Sequence, residues 1–181
     1  PLTRMSGVRA PPSEHNLTTS GKVLVMQNRD PDLLTNGIAI GFYEREFYVF
    51  SNFSSFQVRI DGFTYPTSEH AYHAAKFTPR YRKSRVRAFT SAHAAFVEAR
   101  AMQELGYVRP DWEEVKIDVM ERICRAKLQQ HEYVQRKLDQ TGDLLLVEDS
   151  PYDSFWGWGP DRQGRNELGK VWMRLREASR S

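Results

Sequence analysis

An Asp61-Gly62 pair stands between two short segments, 57–60 and 63–65, and Pro66-Thr67-Ser68 follows at once. This arrangement leaves the chain little local choice. Asp-Gly suits a tight turn with both central residues at positive φ, so the flanking segments read as a hairpin. Pro66 ends the second strand, and Thr67 or Ser68 can cap the free N–H groups of a helix that begins there. Residues 65–77 are therefore the entrance and first turns of a helix.

The spacing sorts that helix into two sides. Ala71, Ala74 and Ala75 fall on one, where a neighbouring element can approach closely. Glu69, Tyr72, His73 and Lys76 fall on the other. Glu69 lies in the first turn, where the helix dipole favours an anion. Seven residues advance about 10 Å, so Glu69 and Lys76 point the same way without touching, and both can reach a substrate lying along the helix. Two readings stay open: a solvated polar face with an i,i+4 Glu69–His73 pair, or a reactive site.

The 181 residues suffice for one domain with a substantial core, and 40% hydrophobic with 12% aromatic residues exclude a disordered chain. The net charge of +3 is compatible with a polyanionic partner without requiring one. Cys124 is the single cysteine, so no disulfide framework can form. With no leader or membrane-spanning run in view, the expected location is intracellular, cytoplasmic or nuclear. There is no phosphate-cradling loop or dinucleotide fingerprint, and His70-x-x-His73 is not a zinc-enzyme spacing. No metal and no cofactor are expected, and Cys124 sits mid-helix, a poor place for a nucleophile.

In chain order, residues 1–20 read as a mobile N-terminal arm and 21–181 as one domain. Strands are expected at 22–27 and 38–43, with turns at Asp30-Pro31-Asp32 and Asn36-Gly37. The aromatic run 47–56 is broken by Ser51-Asn52, which either bind a ligand or satisfy loop backbone. Arg80, Arg82, Lys83, Arg85 and Arg87 form a dense basic run, either a solvated face or a phosphate-contacting patch with Tyr81 free to stack. Residues 91–105 make an amphipathic helix stopped by Gly106. Asp111-Trp112-Glu113-Glu114 has the form of a capping box opening a long helix to about 131, with Val115, Val119, Met120, Ile123, Cys124 and Leu128 apolar. Trp112 either staples that helix to the core or covers a base. Helical pattern continues over 133–138 and closes at Thr141-Gly142-Asp143, and a strand follows at 144–147. The loop 150–159 combines Asp153 with Trp156, Gly157, Trp158 and Gly159, a composition suited to a ligand pocket. Asn166 is placed to cap a last helix with Leu168, Val171, Trp172 and Leu175 on its core face, and Gly169 permits close approach. The fold class is α+β: a single, mainly helical domain with a small antiparallel sheet and hairpin.

Taken together, these pieces resemble the NADAR family, the YbiA-like N-glycosidases. The matching residues are Phe42-Tyr43, Phe50-Ser51-Asn52-Phe53, Asp61-Gly62, Tyr65 through His70, Ala75-Lys76-Phe77, Trp112 through Lys116, Val119-Met120, Ala126-Lys127 with Gln130, Asp153 with Phe155-Trp156-Gly157, and Asn166 through Gly169. They cover residues 40–178 in the family's order. Leu128 stands where the family often has Phe, and the basic run is denser than the family pattern. The resemblance implies a hydrolase that cleaves a ribosyl C1–N bond, with Glu69, Lys76, Trp112 and Asp153 as catalytic residues. It further implies that Tyr43, Ser51, Asn52, Phe53, His73, Trp156, Gly157 and Asn166 bind substrate, with the 80–87 basic run as a secondary nucleic-acid contact. The implied substrate is ADP-ribose on guanine bases of DNA or RNA, whose removal reverses the modification. Phosphoribosyl-aminopyrimidine intermediates of riboflavin synthesis are the alternative. A non-catalytic reader of ADP-ribose or nucleic acid is the third reading, and it has no need for the Glu69–Lys76 pair.

Overall fold

The computed structural model describes residues 33–34, 37–43 and 45–181. The expected arm, the strand at 22–27 and the turn at 30–32 lie outside the described residues, as do Asn36 and the side chains of Arg80 and Tyr81. Two short strands come first, β1 (Leu33–Leu34) and β2 (Ala39–Gly41), then a 3-10 helix (Arg45–Phe50). The hairpin is β3 (Val58–Ile60) and β4 (Phe63–Tyr65). Four helices follow: α1 (Ser68–Ala75), α2 (Arg80–Ala88), α3 (Ala92–Glu104) and α4 (Trp112–Gln130). The chain ends with α5 (Glu132–Gln140), β5 (Leu145–Val147) and α6 (Glu167–Arg180).

The hairpin forms for the reason its sequence announces. Asp61 (φ 52°) and Gly62 (φ 76°) both take left-handed backbone, as the tight turn requires. Thr67 then caps α1, its hydroxyl accepting from the His70 N–H at 3.3 Å. Ser91 caps α3 in the same way, and Gly106 ends it at φ 75°.

The α+β class holds, with one difference inside it. β2 pairs antiparallel with β1 but parallel with β5, Ala39 facing Leu145 and Gly41 facing Val147. The expected sheet was antiparallel. A tight turn would force that direction, but five α-helices and a 3-10 helix separate β2 from β5, and a long crossover lets the strand return parallel. Phe42 N–H extends the ladder to Val147 O at 3.0 Å.

α6 seals this sheet. Leu168, Val171, Trp172 and Leu175 are all buried. The Trp172 indole packs 5.0 Å from the Phe50 ring and its N–H donates to Phe50 O at 2.9 Å. Burying each such ring is worth about 1.5–3 kcal/mol.

Two expected caps are corrected. The Asp111 carboxylate makes no cap because the Arg109 guanidinium holds both its oxygens. Asn166 makes none either. It sits at φ 52°, and its amide donates to Leu146 O at 2.9 Å and accepts from Glu148 N–H at 3.0 Å. In both cases a tertiary partner outcompetes the helix end. Cys124 is fully buried, and burial pushes its thiol up to about 12, which keeps it unreactive.

Candidate active site

The site is built on α1. Glu69 and His73 are both buried, and Glu69 Oε1 lies 2.6 Å from His73 Nε2. The solvated-face reading of this pair therefore fails. The Glu69 backbone N–H donates to Asn52 O at 3.0 Å, tying the Ser51-Asn52 loop to the start of the helix. Asn52 Oδ1, Ser68 Oγ and His73 Nδ1 are buried with no partner among the described residues. Unpaired buried polar atoms cost about 1–3 kcal/mol each, and such groups are tolerated where a ligand is to be met. His70 is different: Nδ1 accepts from the Thr67 hydroxyl at 2.9 Å and Nε2 donates to Phe89 O at 2.7 Å. With both ring nitrogens used it is a structural residue. No group of three His, Cys, Asp or Glu able to hold a metal occurs among the described residues.

Lys76 caps the other end of α1. Its Nζ lies 5.2 Å from the centre of the Tyr72 ring and 5.8 Å from that of Trp112. Tyr72 in turn packs 5.0 Å from Trp112 and edge-on 5.4 Å from Trp156. The amine thus sits against two rings, with Trp156 packed on Tyr72 beyond them. Burial pushes it below the ordinary lysine value, while Glu69 and Glu113 pull it back up and Lys116 pushes it down again. The Tyr72 phenol is pushed up by burial and stays neutral.

Asp153 shapes the opposite wall. Its Oδ1 accepts the Phe155 and Trp156 N–H groups, both at 2.8 Å, and so fixes the turn that presents Trp156 to Tyr72. Gly157 is buried in that turn, and any Cβ there would collide with Glu148 O. Trp112 is 5% exposed, so it closes the site more than it covers it.

The remaining expected residues divide. Tyr43, Ser51 and Phe53 line a pocket of about 420 Å³ together with Arg45 and Tyr48. Asn52 is buried beside it, its amide donating to Met120 Sδ at 3.3 Å. The Asn166 amide bonds Leu146 O and the Glu148 N–H, as described. In the basic run, Arg82 lies 4.0 Å over the Tyr107 ring, Arg85 pairs with Glu98 at 2.6 Å and Arg87 lies 5.3 Å over Phe63. Lys83 borders a separate hollow beside Asp61 and Gly62. None of these partners belongs to the Glu69 cluster.

Two charged residues were given no role by the sequence. Glu148 follows β5 directly and is 6% exposed. Lys127 is fully buried on α4, its Nζ donating to Ser51 O at 3.0 Å and Ser54 Oγ at 2.6 Å. It holds the Ser51-Asn52 loop in place from behind. The signal for Lys127 was present: it stands seven residues after Met120 on the apolar stripe of α4.

Burial pushes Lys127 down to about 7, with Cys124 and Glu148 opposing. The unfolded chain keeps this proton up to about 10.5. Between those values the unfolded state binds more protons, so this group makes stability rise with pH, and its contribution is lost as pH falls through 7. Lys127→Met is expected to remove that slope. Relative to wild type the variant should gain up to a few kcal/mol between about pH 10 and pH 7, as read by urea unfolding across that range.

A mainly helical α+β domain that gathers an acid, an amine and packed rings around one short helix falls, by its relatives, in the class of N-glycosidases, hydrolases of glycosidic C–N bonds. More particularly, the chain belongs to the NADAR domain family, whose profile matches residues 41–180. It is 36% identical over 140 residues to N-glycosidase YbiA of Escherichia coli, an alignment covering 76% of this chain and 86% of that protein. The NMR structure of Escherichia coli YbiA superposes with a TM-score of 0.73 at 33% identity, covering 83% of this chain and 90% of that one. A riboflavin biosynthesis protein of Vibrio vulnificus is 38% identical over 127 residues, which are 70% of this chain and 34% of that protein. No helix among the described residues is long and apolar enough to cross a membrane.

Proposed function

We propose that this chain hydrolyses the C1–N bond between ribose and a base, removing ADP-ribose from guanine in nucleic acid. The observation that carries the chemistry is a half-buried Lys76, pushed below its ordinary value by desolvation, on the same short helix as a buried Glu69. A neutral amine is a nucleophile and an ammonium is not. Nζ attacks C1, the C1–N bond breaks with its electron pair going to the base, and the base takes a proton. The Nζ lone pair then forms a C=N bond as C1–O4 opens, and Glu69 supplies the proton to that ring oxygen. Water adds to the imine, the amine leaves and the sugar recloses. Glu69 also stabilises the positive charge that builds at C1. Tyr72, Trp112 and Trp156 exclude water around the amine, and Asp153 is placed to hold ribose hydroxyls.

A pocket beside the Glu69 cluster supports the ADP-ribosyl substrate. Ser51 lines the pocket of about 420 Å³, and its neighbour Asn52 bonds the start of α1. That pocket offers aromatic faces from Tyr43, Tyr48 and Phe53 and the guanidinium of Arg45, a set suited to a second ring system and its phosphate. Arg45 holds left-handed backbone at φ 65°, a cost more often met at binding sites than elsewhere. One finding favours the riboflavin intermediates instead: the Vibrio vulnificus relative carries that pathway in its name.

The two substrates are separated by measuring kcat/KM on a guanine-ADP-ribosylated oligonucleotide and on a phosphoribosyl-aminopyrimidine, with Arg45→Ala alongside. The expected result is preference for the oligonucleotide, and a roughly tenfold or larger KM rise in Arg45→Ala confined to that substrate. Turnover of the aminopyrimidine alone, unaffected by Arg45→Ala, supports the second reading.

A further inference from the structure

We infer that Glu148 is the acid that protonates the departing base, a role resting on the glycosidase reading above. Glu148 is clamped from several directions. Its N–H donates to Asn166 Oδ1 at 3.0 Å, and its carbonyl accepts from Trp158 N–H at 2.9 Å. Its Cγ lies against Gly157, close enough that a Cβ there would stand 3.0 Å away. The residue is 6% exposed, yet its carboxyl accepts no hydrogen bond from any described residue. Its oxygens are not among the sealed partnerless atoms of the interior, so they reach the surface, and a carboxyl this far buried without a protein donor calls for a reason.

Its neighbours supply one. Asp153 faces it from the following turn, Glu69 from α1 and Asp149 from the next position, with Lys127 of α4 as the opposing cation. Glu69 is engaged by His73, and Asp153 accepts two backbone N–H groups. Of these four carboxyls, Glu148 is the one with no donor facing it, since Asp149 pairs with Arg162. Acidic neighbours disfavour the charged form of a carboxyl, and no donor is present here to offset them. Burial first, then those acidic neighbours, push Glu148 up to about 8. At neutral pH it is a neutral carboxylic acid among acidic neighbours, an environment that fits a general acid.

The step balances. As C1–N breaks, the electron pair goes to the base nitrogen, which takes the Glu148 proton, and Glu148 becomes a carboxylate. Nζ, positively charged once it bonds C1, gives one proton to Glu69, which passes it to O4 as the ring opens, and the water that adds to the imine returns a proton to Glu148. No oxidant or further reactant is needed.

Two measurements decide the matter. The first is a carbon-13 NMR titration of side-chain glutamate carboxyls, with the Glu148 signal identified by its absence in both Glu148→Gln and Glu148→Asp. The expected midpoint is near 8; one at about 4–5, the ordinary glutamate range, overturns the inference whatever the substrate is. The second is the pH profile of kcat on whichever N-ribosyl substrate the wild type turns over. Glu148→Gln is expected to lower kcat roughly 10²–10⁴-fold, leave KM nearly unchanged and abolish the fall in kcat above about pH 8. Glu148→Asp keeps a carboxyl and is expected to keep that fall at reduced kcat. Full activity in Glu148→Gln, or an alkaline limb that survives in it, overturns the role. A folded wild type that cleaves neither N-ribosyl substrate overturns the glycosidase reading and this role with it, while the NMR midpoint judges the Glu148 proton separately.

Discussion

Lys76→Ala is expected to lower kcat by about 10³-fold or more while KM changes little, the pattern for loss of a group that acts only as the bond rearranges. The chain keeps its fold in this variant, because Lys76 stands at the end of α1 and makes ring contacts rather than buried hydrogen bonds. Lys76→Arg is expected to be equally inactive. Guanidinium preserves the charge over the Tyr72 and Trp112 rings but does not lose its proton, so it cannot attack C1. The pH dependence has a definite sign. Activity needs the neutral amine, so kcat rises with pH through the Lys76 value, which burial places below that of a free lysine. A Lys76→Ala enzyme retaining kcat within about threefold, well short of the loss of a nucleophile, removes the covalent mechanism and leaves Glu69 to act on water directly.

Gly169→Ala is expected to be among the most destabilising small changes available, at about 3 kcal/mol and a Tm drop of roughly 6–12 °C. A Cβ there would fall closer than 3.0 Å to Leu146 O and to both amide atoms of Asn166. The nearest obstacle is backbone, held in the β2–β5 ladder, and cannot rotate away. α6 must lift off β5, which also breaks the two Asn166 bonds that position Leu146 and Glu148. Activity should fall along with stability. Gly142→Ala is the control: its Cβ meets nothing within 4 Å and only the positive φ is strained, so about 1 kcal/mol is expected. Chemical unfolding of both variants reads the difference directly, and equal losses would show that the β5–α6 approach is not the tight contact described.

What could be read from sequence was local chemistry. Asp61-Gly62 fixes its own turn, Thr67 finds the N–H three residues on, and the spacing of Glu69, Tyr72, His73 and Lys76 sets their common side without outside help. The failures share one cause. Asp111 and Asn166 are good capping residues, but Arg109 and β5 claim them in the folded chain. Separately, Arg82, Arg85 and Arg87 of the basic run meet Tyr107, Glu98 and Phe63, contacts that do not bear on whether the run meets nucleic acid. Charge density along a helix does not disclose such partners. Glu148 was invisible for a related reason. Its burial follows from the parallel pairing of β5 with β2, a contact between distant parts of the chain, and from the turn that Asp153 closes over it. Lys127 was legible in principle, since it occupies an apolar position of α4, and a lone charge on a buried stripe is a signal in itself.

The central claim is that Lys76 bonds to the sugar. The measurement that reaches it most directly is borohydride reduction of the enzyme during turnover of the guanine-ADP-ribosylated oligonucleotide, followed by mass analysis of its peptides. The expected result is a ribosyl adduct on the peptide carrying Lys76, absent without substrate and absent in Lys76→Ala. Release of the base with Lys76 unmodified, or an adduct confined to another lysine, would contradict it.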